Sequence, residues 1–131
     1  MVDRVILHVG MQKTGSTLIQ KSLENYDDGV SYYGVFTAEG RDGPYQNHGF
    51  PIGLLFDQRN SLYHFHRRGL SHERLRSLRD SYLNDLHRQL GRRDRDTLII
   101  SGEDIGLMDE DAKLALLRII ESVTSNPTFS K

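Results

Sequence analysis

Residues 5 to 17 constrain this chain more than any others. Val5-Ile6-Leu7-His8-Val9 is an apolar strand pattern that runs directly into Gly10-Met11-Gln12-Lys13-Thr14-Gly15-Ser16-Thr17. The helix-like Leu18-Ile19-Gln20-Lys21-Ser22-Leu23 follows at once. A strand, a tight glycine loop and a helix start in that order aim unpaired backbone N–H groups, and the positive end of a helix dipole, at one spot. An anion such as a phosphate or a sulfate is the natural occupant, and an α/β nucleotide fold is the natural frame.

The position of the lysine narrows the choice. The standard phosphate loop reads G-x-x-x-x-G-K-[ST], with the lysine directly after the second glycine. Gly10 and Gly15 keep that spacing, but Ser16 follows the second glycine and the lysine stands in the loop's middle, at Lys13. From there it reaches a bridging oxygen or leaving group rather than a terminal phosphate. The shift argues against an ordinary ATPase or GTPase. A glycine turn without any ligand is the plain alternative, and strand, lysine, paired hydroxyls and helix together argue against it.

Composition sets outer bounds. A chain of 131 residues, 37% hydrophobic and 27% charged, reads as one globular domain over 1–131. A net charge of −1 gives no steering toward nucleic acid. The absence of cysteine excludes disulfides, thiolate metal sites and thiol catalysis. No apolar run reaches membrane-spanning length and the first residues do not read as a signal peptide, so the expected location is cytoplasmic. Oligomeric state is not legible.

Periodicity supplies the remaining elements. Strands are expected at 4–9, 30–33 and 97–101, and helices at 16–26, 71–90 and from Asp109 to Asn126-Pro127, with 50–56 a weaker helical segment. Leu75, Leu78, Tyr82, Leu86 and Leu90 share one face of the long helix, with Ser71 as N-cap and Gly91 as C-terminal cap. Residues 38–48 read as loop. Alternating strands and helices predict a parallel sheet covered on both faces, with ligands beyond the carboxyl ends of the strands.

The loop resembles the 5′-phosphosulfate loop of the sulfotransferases that use 3′-phosphoadenosine-5′-phosphosulfate, whose usual form is close to H-x-G-x-P-K-T-G-T-T. His8, Gly10, Lys13, Thr14, Gly15 and Thr17 match it, Ser16 is a conservative change, and Gln12 stands where proline is usual. The resemblance implies a three-layer α/β sandwich of the P-loop nucleoside triphosphate hydrolase kind. It implies donor binding by Gln12, Lys13, Thr14, Gly15, Ser16 and Thr17, with Lys13 also catalytic and no metal. The acceptor would be a hydroxyl or an amine, a carbohydrate among the options.

Two further residues draw attention. Ser101-Gly102-Glu103-Asp104 ends the third strand, and the resemblance implies a glutamate base there, so Glu103 is a candidate for deprotonating the acceptor. A helix-capping acidic turn, or a metal acid, is the other reading. The resemblance also implies a histidine after the second strand, near the acceptor, so His48 is a catalytic candidate that orients the acceptor or shares in removing its proton; a loop histidine bonded to backbone is the other reading. His8, inside a strand, reads as a packed histidine. His64 and His66 lack a third metal ligand. The arginines at 67, 68, 74, 76, 79, 88, 92, 93 and 95 interleave with Glu73, Asp80, Asp85, Asp94 and Asp96, as on a solvated face with local ion pairs.

The family's 3′-phosphate site uses a later strand of the form V-x-x-x-R-x-P. Residues 126–131, Asn-Pro-Thr-Phe-Ser-Lys, are not expected to supply it, so the resemblance covers the N-terminal half of that fold and suggests a truncated version. Two other functions stay open: a non-catalytic phosphate-binding module, and a P-loop NTPase or kinase using ATP and magnesium with Glu103 or Asp104 on the metal.

Overall fold

The computed structural model describes residues 2–8, 16–38, 43–56, 69, 71–102, 105, 108–123 and 126–130, with backbone alone for 16–19, 122–123 and 126–130. Among these residues the chain forms β1 (Arg4–His8), α1 (Ser16–Leu23), β2 (Ser31–Tyr33), α2 (Gly49–Phe56), α3 (His72–Leu90), β3 (Thr97–Ser101), α4 (Glu110–Val123) and β4 (Asn126–Ser130). The strands make one open sheet in the order β2-β3-β1-β4, and every pairing is parallel. The protein is α/β, as the alternation predicts.

Pleating sorts the side chains between the two faces of the sheet. Val5 pairs with Leu98 and Leu7 with Ile100, and all four are buried in the main core. The same core takes Leu75, Leu78, Tyr82, Leu86 and Leu90 from α3, Ile52, Leu54 and Leu55 from α2, and Ala112, Leu116 and Ile120 from α4. His8 pairs with Ser101, out of step with that apolar set and therefore on the opposite pleat. Connections from β1 to β2 and from β3 to β4 run to opposite sides of the β1–β3 pair. Right-handed crossovers then put α1 on one face and α4 on the other. The strand order therefore reverses between β1 and β3, the place where open α/β sheets hold ligands beyond their carboxyl ends.

Local chemistry explains the helix limits. Ser71 Oγ accepts the Arg74 N–H at the start of α3, and Asp109 Oδ1 accepts the Ala112 N–H at the start of α4. Gly91 does end α3, but with φ −82° and ψ −1° it is not a left-handed cap. A Cβ there would lie 3.2 Å from the His87 carbonyl oxygen, so the glycine's lack of a side chain relieves crowding. Helix α2 forms despite Gly49, Pro51 and Gly53, because six of its eight residues are buried and its proline sits in the first turn.

Two expectations need correction. Asn126-Pro127 does not merely stop a helix: it begins β4, which pairs with β1 from Arg4↔Asn126 to His8↔Ser130. A strand therefore does follow the last helix, and as an edge strand it tolerates a proline without an N–H. The charged face of α3 is also not wholly solvated. Asp85 is buried, where Oδ2 accepts the Thr37 N–H and Oδ1 accepts Arg88 Nη2. The buried Gln89 accepts the Val35 N–H and donates to the Asp85 carbonyl. These side chains bind the backbone of residues 35–37 after the chain leaves the sheet, and so replace ladder hydrogen bonds.

Candidate functional site

The carboxyl ends of β1, β2 and β3 meet in a buried, largely uncharged polar cluster. Ser101, the last residue of β3, is at its centre and is fully buried. Its N–H donates to His48 Nδ1 (3.0 Å), and its carbonyl accepts the His48 N–H (2.8 Å). Its hydroxyl accepts from Gln20 Nε2 (3.2 Å) and lies 2.8 Å from His8 Nδ1. Gln20 comes from α1, and its side chain is also buried.

The tautomer of His48 follows from its partners. Nδ1 accepts an N–H, so the proton is on Nε2, which donates to the Gly34 carbonyl at 2.8 Å. The ring stacks on Tyr33 at 4.3 Å between centroids and meets Phe36 edge-on at 5.2 Å. Burial pulls its pKa down to about 4, with the Gly34 carbonyl opposing, so His48 is neutral near pH 7. With both nitrogens engaged and no exposure, it has no free lone pair for an acceptor's proton. The geometry corresponds to the backbone-bonded reading and not to the role in acceptor orientation or proton removal.

Two glycines make this packing possible. A Cβ on Gly34 would sit 3.3 Å from His48 Cε1 and 3.3 Å from the Ile99 carbonyl oxygen. On Gly102 it would sit 2.5 Å from Gly49 N and 2.9 Å from Gly49 Cα, closer than real Cβ atoms come. The start of α2 is therefore pressed against the end of β3. Asn47 Oδ1 accepts the Gly49 N–H, and Gln46 Nε2 donates to Glu24 Oε2, linking this segment to the end of α1. The Tyr33 hydroxyl donates to the Gln46 carbonyl, and burial pushes its pKa up to about 12, which keeps it protonated.

Of the residues expected to bind the donor, Gln12, Lys13, Thr14 and Gly15 lie outside the described residues. Ser16 and Thr17 are the first two residues of α1. Glu103, Asp104, His64 and His66, and the arginines at 67 and 68, also lie outside them. What the structure does describe is the residues that precede Val9 and Glu103. The residue before Val9 is paired in register with the residue two before Glu103, and the Gly102 N–H donates to the His8 carbonyl at 3.0 Å. Among the described residues, no group of three His, Asp or Glu is placed to hold a metal ion. No helix among them is long and apolar enough to cross a membrane.

The sequence patterns do not single out Gln20, and they mark Ser101 only as the first residue of Ser101-Gly102-Glu103-Asp104. The signal available was register. His8 and Ser101 both end adjacent strands on the same pleat, and Gln20 falls four residues after Ser16, on the same side of α1. Scans against family models, curated proteins and solved structures return no match.

Proposed function

We propose that this chain holds the 5′-phosphosulfate end of 3′-phosphoadenosine-5′-phosphosulfate, within a P-loop-like α/β fold, and transfers the sulfuryl group to a hydroxyl or amine acceptor. The observation that carries the reading is the parallel β1–β3 pair in the register His8↔Ser101. It brings the two chain segments that hold Lys13 and Glu103 out of the same edge of the sheet from neighbouring strands. The start of α1 at Ser16 supports it further, because backbone N–H groups at a helix start favour an anion.

The chemistry requires alignment and charge stabilisation more than covalent participation. The acceptor's oxygen or nitrogen bonds to sulfur while the bond from sulfur to the bridging oxygen breaks, and adenosine 3′,5′-bisphosphate leaves. Lys13 meets the charge that grows on the bridging oxygen. Ser16, Thr17 and the N–H groups of Thr14 to Thr17 hold the 5′-phosphate. Glu103 takes the acceptor's proton. His48 braces the end of β3 and takes no part in proton transfer.

Calorimetric titration with adenosine 3′,5′-bisphosphate and with ATP, each with and without magnesium, tests the reading. Binding of the bisphosphate that does not depend on magnesium, and that weakens in Lys13→Ala, is the expected result. Preference for magnesium-ATP would replace it with a nucleotide hydrolase or kinase. Binding of neither would leave a module without donor chemistry.

A further inference from the structure

One hydroxyl stands between the three segments that the proposed site needs. His8 is the last residue of β1, directly before residues 9–15. Gln20 is in the second turn of α1, the helix that resumes after them. Ser101 is two residues before Glu103. The Ser101 hydroxyl touches the other two: Gln20 Nε2 donates to Oγ at 3.2 Å, and His8 Nδ1 lies 2.8 Å from it.

The hydroxyl suits this place because it donates and accepts at once. Gln20 uses one lone pair, which leaves the O–H and a second lone pair for whichever tautomer His8 adopts. The Ser101 peptide cannot drift, because the His48 ring takes its N–H and the His48 N–H takes its carbonyl. The collision that any Cβ on Gly102 would make shows how closely the next residue is also confined. Ser101 is thus a fixed reference point to which the last residue of β1 and the second turn of α1 are both tied.

We propose that Ser101, through Gln20 and His8, is a positioning residue that holds the end of β1, the second turn of α1 and the end of β3 in one arrangement, the three described elements on which the proposed donor site depends. The role deepens the donor-site reading and rests on it for its catalytic meaning. It is tested separately, because the ties to His8 and Gln20 exist without any ligand.

The experiment compares Ser101→Ala with the wild-type chain by amide hydrogen exchange and by calorimetric titration with adenosine 3′,5′-bisphosphate. Gln20→Met, which keeps the reach and removes the amide, is the second variant should Ser101→Ala fold poorly. Ile99→Val, which touches none of these polar contacts, is the control for general loosening. A positioning role predicts exchange about tenfold faster at residues 9–15 and 16–23, unchanged exchange in α3, and about tenfold weaker bisphosphate binding, from the loss of a buried hydrogen-bond partner. Uniformly faster exchange as in Ile99→Val, or unchanged exchange at 9–23, would overturn it. If the wild-type chain does not bind the bisphosphate, the donor reading fails, and the exchange pattern still decides the positioning role.

Discussion

The two ends of the sheet are built differently. At the amino-terminal rim, Arg95 forms paired hydrogen bonds with the Asp27 carboxylate at 2.7 and 2.9 Å, and also contacts Asp94. Arg92 pairs with Asp94 and lies over the Tyr32 ring at 4.3 Å. The hydrogen bonds from Arg95 hold the Asp27 carboxyl down to about 2, yet these groups are open to solvent. At the carboxyl end, the central contacts of Ser101, His48, Gln20 and His8 join hydroxyl, amide, imidazole and backbone groups without a carboxylate or guanidinium, and Ser101, His48 and Gln20 are buried. Exposed charges tolerate small displacements and are screened by salt, whereas buried hydrogen bonds hold only in one geometry. The rim closes the fold, and the mouth fixes positions.

The largest test of that contrast is Gly102→Ala. Its Cβ would meet backbone rather than the end of a flexible side chain, so α2 or β3 must move. The expected loss is about 3 kcal/mol or more, read from the urea midpoint, as for overpacking against atoms that cannot yield. A loss below about 1 kcal/mol would show that the mouth is looser than its contacts imply.

Acid exposes the same region next. His48 has a folded-state pKa of about 4 against an ordinary 6.5, so the unfolded chain binds a proton first as pH falls. The stability it contributes is present above pH 6.5 and is lost as pH falls from there toward 4, by up to about 3 kcal/mol. Urea midpoints at pH 7 and pH 4.5 should diverge in the wild-type chain and converge in His48→Gln. An unchanged slope in the variant would place the acid sensitivity elsewhere.

The rim should answer least. Asp27→Asn removes an exposed ion pair whose carboxylate also accepts the Gly29 N–H, and an amide oxygen can still accept it. The urea midpoint should move little, and less still in high salt. A shift as large as that of Gly102→Ala would erase the distinction between the two ends.

The same contrast explains what could be read from the chain. Elements that bury a regular apolar stripe were plain: Leu75, Leu78, Tyr82, Leu86 and Leu90 announce α3, and 97–101 announces β3. The strand at 126–130 was missed because Asn-Pro signals an end, and only a neighbouring strand can turn such a segment into an edge. Polar residues inside apolar patterns were the harder part. Asp85 and Gln89 look like surface positions until residues 35–37 supply the N–H groups that they accept. His48 carried two readings, and its burial against Gly34 and Ser101, far apart in sequence, separates them. The glycine-loop pattern is a matter of spacing, and its residues 9–15 lie outside the described ones; the register of β1 with β3 adds where His8, the residue before them, is held.

The most direct test of the central claim is to map adenosine 3′,5′-bisphosphate onto the backbone amides by NMR titration. The account predicts the largest shifts at residues 10–17 and 101–104, smaller ones at His8 and Gln20, and none at the Asp27–Arg95 rim. Shifts centred on the rim or on the exposed face of α3, with residues 10–17 unmoved, would contradict it.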